Sequence, residues 1–202
     1  MGHKFLGGLN CMSTTQPIRN KHQVRELAGY YLSKGQLRNY ALVVLGVHTA
    51  LRISDLLRLK WEDVYDFDNC RVRETIDIVE KKTGKHKTIA LNKAVAGALT
   101  LHADNFAVRG HFIIENPRTG KAISRVQAYR LIRAASEALG FKCRASCHSL
   151  RKTFGYHAWK SGVSPVVIME IYNHSSLAVT RRYLGVTQDD KNAVYLGLNL
   201  TA

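Results

Sequence analysis

Acidic residues are scarce in this sequence. Its 202 residues include 15 Asp and Glu against 30 Lys and Arg, which gives a formal net charge of +15. So large a positive excess favours a polyanionic partner, because cationic side chains that neutralise phosphates release condensed counterions. The charge therefore indicates a nucleic acid of some kind, with a merely basic or ribosome-associated protein as the alternative.

Cysteine is also scarce, and the four cysteines are Cys11, Cys70, Cys143 and Cys147. No secretory signal pattern precedes them, and the chain is longer than the usual disulfide-stapled module. We therefore expect reduced thiols and a cytoplasmic protein. Cys143 and Cys147 with His148 resemble metal ligands, but no second pair at ligand spacing accompanies them. The sequence predicts no metal site and no other cofactor.

Long apolar runs, internal repeats and low-complexity tracts are missing as well. No apolar run approaches the length of a membrane span, so we expect no membrane partner. Apolar residues still make up 46% of the chain, enough to bury the core of one domain. Residues 1–19 show no clear periodicity and are predicted to form a flexible N-terminal arm, followed by a single domain over residues 20–202.

Helical periodicity dominates the rest of the chain. One change of period, between Arg71 and Leu91, predicts a β-hairpin with a very basic tip at residues 81–85, and residues 111–114 could add a short strand. The pattern is typical of a mainly α fold with a small antiparallel β-sheet, an α+β arrangement. The predicted helices cover residues 20–33, 37–49, a short segment ending near 61, 93–105, 124–139, 146–161, a segment starting at Ser164-Pro165, 177–184 and 188–198.

Five segments hold cations or proton donors in unusual settings. Arg52 directly follows an apolar helix, and Lys82 lies on the hairpin tip. His148 and Arg151 are three residues apart, which places them on one helix face. The remaining two segments carry His174 and, nine residues later, Tyr183; their residues are Asn173-His174-Ser175-Ser176 and Thr180-Arg181-Arg182-Tyr183-Leu184.

These residue types suit the transfer of a phosphodiester. The transition state carries extra negative charge on its non-bridging oxygens, and two arginines can clamp them with planar, bidentate guanidinium groups. A tyrosine has a pKa near 10 in water, and cationic neighbours are expected to lower that pKa so that phenolate becomes a usable nucleophile. A lysine or histidine can protonate the departing oxygen. A covalent link to the protein conserves the phosphodiester energy, so neither ATP nor metal is required.

The order and spacing of these segments resemble the catalytic domain of the tyrosine recombinase (phage integrase) family. Arg52-Ile-Ser-Asp55-Leu is similar to the family's first motif. His148-Ser-Leu-Arg151-Lys-Thr153 is similar to the second, and His174-Ser-Ser followed by Tyr183 to the third. The resemblance covers about residues 20–195 and implies the fold of that catalytic domain.

The resemblance implies a role for each residue that would touch the DNA phosphate. Arg52 and Arg151 would bind the scissile phosphate, and His174 would donate a hydrogen bond to it. Lys82 would be the general acid for the leaving 5′ oxygen, although Lys81 and Lys85 in the same loop compete for that role.

The resemblance also assigns the nucleophile. Tyr183 would form a 3′-phosphotyrosine, and His148 would assist its proton transfer. Asp55, one helical turn after Arg52, would brace the arginine-bearing segment without reacting.

Three features depart from the family pattern. Ala50 and Asn173 stand where the family usually has glycine. Both residues are small or turn-tolerant, so we expect altered loops and retained chemistry. Family members also usually carry an N-terminal domain that clamps the DNA; residues 1–19 are too short for one, so the sequence represents either a minimal enzyme or an excised domain.

Further DNA contacts are expected on the hairpin and on the helix that follows Ser124. A solvated turn and a solvated helix face are the alternatives for these two basic surfaces. The residues concerned are Lys81, Lys85, His86, Lys87, Arg125, Tyr129, Arg130 and Arg133.

The resemblance implies a site-specific DNA recombinase or integrase of a mobile genetic element, acting on double-stranded DNA in the cytoplasm, and on the nucleoid if the source is bacterial. The apolar C-terminal segment, residues 194–198, is a candidate contact between protomers, with ordinary core packing as the alternative. Two other functions stay open. A type IB topoisomerase uses similar residues as a monomer, and a non-catalytic DNA-binding module could retain the fold.

Overall fold

The computed structural model describes residues 15–104, 111–142 and 145–198. Within these ranges the chain forms ten helices and three two-stranded antiparallel sheets. The helices are α1 Lys21–Leu32, α2 Leu37–His48, α3 Ile53–Leu56, α4 Trp61–Val64, α5 Lys93–Ala103, α6 Arg125–Ala138, α7 Cys147–Lys160, α8 Pro165–Tyr172, α9 Leu177–Leu184 and α10 Gln188–Gly197. The strands are β1 Tyr65–Asp66, β2 Arg71–Val72, β3 Thr75–Val79, β4 His86–Ala90, β5 Glu115–Asn116 and β6 Lys121–Ala122.

The helix starts follow the capping residues of the sequence. Ser124 and Ser146 each accept a hydrogen bond from a backbone N–H of the first turn, in capping boxes completed by Gln127 and Ser149. Ser164 caps α8, whose first residue is Pro165. The helices and the small antiparallel sheets confirm the predicted mainly α fold.

The strand prediction is confirmed for one sheet and incomplete for the others. β3 and β4 pair in the predicted hairpin, with Ile76 opposite Ile89. The pairs β1–β2 and β5–β6 have strands of only two residues, too short to show an alternating pattern. The predicted strand over 111–114 is wrong in its bounds, because Phe112 forms only an isolated bridge with Lys60 and the strand starts at Glu115.

Helix α2 lies at the centre of the main core and packs against α1, α5 and α7. Its residues Leu42 and Leu45 are fully buried. Gly46 lets α7 approach closely, since a Cβ there would lie 2.6 Å from Leu150 Cδ1. A second, smaller core of Ala50, Ile168, Tyr172 and Leu184 joins the end of α2 to α8 and α9. The polar segment that follows α2 therefore lies between the two cores.

Residues 15–19 are packed, which corrects part of the predicted flexible arm. Ile18 is buried, its N–H donates to Thr153 Oγ1 at 2.9 Å, and its carbonyl lies 3.0 Å from His157 Nε2. Arg19 donates to the carbonyl of Gly185 just after α9. Residues 1–14 lie outside the described part of the chain. None of the helices in the described ranges is both long and apolar enough to cross a membrane.

Candidate active site

One open cleft brings the six predicted catalytic side chains together. They come from five separate parts of the chain: the start of α3, the β3–β4 turn, α7, the segment after α8, and α9. Lys81 and Arg125, two of the predicted DNA contacts, line the same cleft. The catalytic set that lines it is Arg52, Lys82, His148, Arg151, His174 and Tyr183.

The two arginines are held by backbone carbonyls. Arg151 is 3% exposed and donates through Nη2 to the carbonyl of Tyr172 at 3.0 Å, and through Nη1 to the carbonyl of Ala50. Arg52 Nη2 donates to the same Tyr172 carbonyl at 3.4 Å. This carbonyl ends α8, where the helix dipole concentrates negative charge. The end of α8 therefore fixes both guanidinium groups at the cleft.

The two departures from family glycine both occur in left-handed backbone. Ala50 has φ 56° and Asn173 has φ 52°. Asn173 ends α8 as its C-cap, a position where asparagine is the usual substitute for glycine. Ala50 costs about 1 kcal/mol in this conformation, but the turn presents its carbonyl to Arg151. The loops keep the geometry that glycine would allow.

Tyr183 is half-buried among three other rings. The rings of His148, Tyr172 and His174 each have centroids 4.9 Å from the Tyr183 ring, all inclined steeply to it. Lys152 Nζ lies 5.2 Å from the same ring centroid. These contacts fix the direction of the phenol and place its oxygen beside His148.

Proton transfer from Tyr183 has an acceptor in place. The phenol oxygen lies 3.2 Å from His148 Nδ1. Burial, reinforced by Lys152 and Arg151, lowers the pKa of His148 to about 4, so its ring is neutral near pH 7 and Nδ1 can accept the phenol proton. His174 also has a pKa lowered to about 4, by burial and then by Arg151 and Arg52, and its Nδ1 lies 3.0 Å from Thr180 Oγ1.

The pKa of Tyr183 corrects one expectation. Burial raises this pKa above its ordinary value, and the opposing effect of Arg151 and Arg52 does not offset burial fully. The sequence led us to expect a lowered pKa, because it shows the cations but not the depth of the side chain. Burial therefore keeps the Tyr183 phenol protonated near neutral pH.

Lys82 lies at the exposed tip of the β3–β4 hairpin. Both Lys81 and Lys82 line the cleft, whereas Lys85 is not among its lining residues. Asp55 is buried and its Oδ1 accepts the N–H of Lys81 at 3.0 Å. Asp55 thus ties the hairpin to α3, a contact more specific than the general bracing expected of it.

The other predicted DNA contacts lie in different surroundings. Lys85 and His86 are exposed at the hairpin tip. Lys87 turns inward, and its Nζ donates to the carbonyl of Ile171 at 2.6 Å. Burial, and next the charge of Arg151, lower the pKa of Lys87 to about 8.

On α6, Arg125 and Arg130 are exposed. Arg133 donates to the hydroxyl of Tyr129 at 3.0 Å and pairs with Glu137 at 2.7 Å. The roles of these residues toward DNA stay predictions.

Two residues of the site escaped the sequence analysis. Glu80 is fully buried and pairs with Arg52 at 2.7 Å. Tyr172 supplies the carbonyl that holds both arginines, and its hydroxyl donates to the carbonyl of Arg151 at 2.6 Å. Gly155 leaves room for the Tyr172 ring. A glycine inside a helix signals such close packing, but a backbone carbonyl acting as an acceptor leaves no mark on the sequence.

In the described ranges no group of three or more His, Cys, Asp or Glu side chains could hold a metal ion. Cys147 is a free thiol beside the cleft, and burial raises its pKa to about 11. Cys143, which the sequence analysis considered with it, lies outside the described residues.

Comparison with known proteins adds independent information. The Phage integrase family matches residues 19–189. The probable integrase/recombinase YoeC of Bacillus subtilis is 35% identical over 184 residues, which covers 91% of this chain and 97% of YoeC. The tyrosine recombinase XerD of Mycobacterium leprae is 27% identical over 80% of this chain and 52% of its own length. The chain thus spans nearly all of YoeC and about half of XerD.

Solved structures share the fold. The crystal structure of XerA recombinase matches with a TM-score of 0.73 at 21% identity, covering 91% of this chain and 66% of that chain. The XerH site-specific recombinase bound to palindromic difH substrate, a post-cleavage complex, matches with a TM-score of 0.70 at 19% identity, over 91% of this chain and 54% of that one. At these identities the likeness shows the fold alone.

Proposed function

The chain belongs to the phage integrase family, and we propose that it is a site-specific DNA recombinase that cleaves and rejoins double-stranded DNA through a 3′-phosphotyrosine on Tyr183, without metal or ATP. The observation that carries this proposal is the Tyr183 oxygen lying 3.2 Å from a neutral His148, in a cleft that two anchored arginines also line.

The proposed cleavage step forms one bond and breaks one. Tyr183 Oη attacks the scissile phosphorus as His148 takes the phenol proton, and the bond from phosphorus to the 5′ oxygen breaks. The Lys82 ammonium protonates that departing oxygen. Arg52 and Arg151 stabilise the added charge on the non-bridging oxygens. Rejoining is the reverse, with a 5′ hydroxyl as the nucleophile.

His174 completes the phosphate site in this proposal. Its ring packs against Tyr172 and Tyr183, which orients it toward the cleft that it lines. With Nδ1 engaged by Thr180 Oγ1, its Nε2 remains the nitrogen that can donate to a phosphate oxygen. In this proposal the Thr180 hydroxyl donates to Nδ1 at 3.0 Å, a shorter contact than the 3.4 Å to the Ser176 carbonyl, and the ring proton is on Nε2.

Double-stranded DNA is the proposed partner, supported by the net charge of +15 and by Lys81, Lys121 and Arg125 on the walls of the cleft. Self-association through the C-terminal segment is proposed as well. Residues Tyr195 and Leu196 of α10 are 81% and 89% exposed, so they are not part of the core of this protomer. Apolar side chains this exposed favour burial against another copy.

A nicked suicide duplex tests the proposal directly, because the short fragment released on cleavage traps the covalent protein–DNA adduct. The unmodified protein should form the adduct in EDTA and without ATP, and Tyr183→Phe should form none. Adduct that requires a divalent metal, or that persists in Tyr183→Phe, would contradict the mechanism. Relaxation of any supercoiled plasmid, without a target site, would favour a topoisomerase instead.

A further inference from the structure

Glu80 is a buried carboxylate in a position that the catalytic mechanism does not use. It follows β3, two residues before Lys82, and its side chain is 0% exposed. Burying a carboxylate is costly unless cations and hydrogen-bond donors surround it. Even when paired, a buried ion pair seldom stabilises a fold better than apolar residues of the same size. One of its oxygens, Oε1, has no hydrogen-bond partner among the described residues.

The other oxygen, Oε2, joins three parts of the cleft. It lies 2.7 Å from Arg52 Nη1, accepts from Thr83 Oγ1 at 2.8 Å and accepts from Asn173 Nδ2 at 3.0 Å. These three residues belong to the start of α3, the hairpin tip and the end of α8. Burial opposes ionisation of Glu80, but the ion pair with Arg52 and the hydrogen bonds from Thr83 and Asn173 outweigh it, so its pKa lies below the ordinary value.

The backbone of Glu80 also shapes the loop that carries Lys82. Its N–H donates to the carbonyl of Lys85 at 3.0 Å, and its carbonyl accepts from the N–H of Gly84 at 2.8 Å. Gly84 has φ 67°, which closes the turn. The loop is therefore tied to Glu80 through both its backbone and the hydroxyl of Thr83.

We infer that Glu80 is a positioning residue that holds Arg52 and the Lys82 loop in register, so that the phosphate clamp and the general acid meet the same phosphodiester. This role rests on the proposed function. Since one carboxylate oxygen engages both Arg52 and Thr83, the loop cannot shift without straining the arginine contact. Glu80 is fully buried and does not line the cleft, so in this proposal it acts through Arg52, Thr83 and Asn173.

The test compares two leaving groups in single-turnover cleavage. A duplex with sulfur in place of the bridging 5′ oxygen releases a thiolate, which needs no proton from Lys82. Glu80→Gln keeps the size of the side chain and removes its charge. We expect this variant to cleave the normal phosphodiester about 10- to 100-fold more slowly than the unmodified protein. On the sulfur substrate it should recover the part of that loss that comes from Lys82, as Lys82→Ala should, and keep the part that comes from Arg52. Glu62→Gln, at an exposed glutamate outside the cleft, is the matched control and should cleave both at the unmodified rate.

Thr83→Val supplies a second variant that removes only the hydroxyl held by Glu80. Thr83 is exposed, so this variant should fold even if Glu80→Gln does not. Because this change loosens the loop and leaves the Arg52 pair in place, we expect a smaller loss that is recovered on sulfur. A loss of equal size on both substrates, or no loss in either variant, would overturn the role of Glu80 while leaving the proposed function intact. Absence of any Tyr183 adduct in the unmodified protein would contradict the proposed function itself.

Discussion

The inner wall of the cleft and its outer rim are built in different ways. The inner wall consists of Arg52 and Arg151, with Glu80 and Tyr172 buried behind them. Glu80 pairs with Arg52, and Tyr172 exchanges two hydrogen bonds with Arg151. The outer rim is the hairpin tip, residues 81–85, where every side chain is exposed. The groups proposed to hold the phosphate are thus fixed in advance, whereas the proposed general acid is tied down only through the loop beneath it.

This difference predicts that substitutions in the two regions affect stability and activity differently. Groups fixed before the substrate arrives need no reorganisation during reaction, which is the main source of electrostatic catalysis. The same fixed contacts also stabilise the fold. Changes in the inner wall should therefore lower both stability and cleavage, and changes in the outer rim should lower cleavage alone.

Replacing Arg151 by alanine should have the largest effect on stability. The change removes the donor to the Ala50 carbonyl and leaves the Tyr172 carbonyl with only the longer contact from Arg52 at 3.4 Å, and a buried polar group that loses its partner is costly. We expect a loss of about 2–4 kcal/mol in urea unfolding and a cleavage rate at least about 100-fold lower. Arg25→Ala, at an exposed arginine on α1, is the control. Equal stability of the two variants would contradict a fixed inner wall.

Gly155→Ala should follow, at about 1–3 kcal/mol of lost stability. A Cβ at this position of α7 would overlap the Tyr172 ring and displace the carbonyl that holds both arginines. Gly29→Ala is a matched helical control with open space around it, and it should stabilise the protein by up to about 1 kcal/mol. Thermal unfolding of both variants measures these changes in stability. A stabilised Gly155→Ala would show that the close contact with the Tyr172 ring does not limit stability.

Acidification should also lower stability, in part through His148 and His174, which line the cleft. Both have a folded pKa of about 4, below the ordinary histidine value of 6.5. The unfolded chain therefore binds more protons between these limits, and stability present above pH 6.5 should fall as the pH drops toward 4. Urea unfolding at pH 7 and pH 5 checks this, with His174→Gln expected to reduce the difference. A flat profile above pH 5 in the unmodified protein would refute it.

Lys82→Ala tests the outer rim. Its exposed side chain should contribute no more than about 0.5 kcal/mol to stability, yet cleavage should slow by about 10²- to 10⁴-fold if it is the general acid. Lys85→Ala is the control on the same loop and should retain far more activity. If Lys81→Ala shows the large loss and Lys82→Ala does not, the acid is Lys81.

Ala50→Gly should have the smallest effect. Glycine relieves about 1 kcal/mol of left-handed strain but loses about 0.8 kcal/mol from burying a methyl group, so stability should change by less than about 0.5 kcal/mol. Cleavage should be retained, since the contact with Arg151 uses the carbonyl of residue 50. A marked fall in either quantity would mean that the Ala50 side chain itself supports the inner wall.

The sequence predicts the side chains that meet in the cleft better than the groups that hold them. Tyr183, Arg52 and Arg151 could be found because residue type and spacing carry the chemical signal, and all three line one cleft. The carbonyls of Ala50 and Tyr172, which accept hydrogen bonds from the inner wall, could not be found in this way, because every residue has a backbone carbonyl. The raised pKa of Tyr183 was missed for a similar reason, since burial is a property of the packed fold.

The helices were predicted well where caps mark their ends, as at Ser124 and Ser146. The segment between α2 and β1 was predicted less well. One helix was expected up to Trp61, but the chain forms α3 and α4 with Leu57 and Leu59 buried between them. Tertiary burial of these leucines, not local periodicity, decides the backbone there.

Identification of the residue joined to DNA tests the central claim most directly. After the suicide reaction, nuclease trimming and trypsin digestion, the peptide that starts after Arg182 and ends at Lys191 contains Tyr183 as its only tyrosine. Mass spectrometry should find a nucleotide linked through a 3′ phosphate to Tyr183 in that peptide. A nucleotide on any other residue, or attached through a 5′ phosphate, would contradict the account.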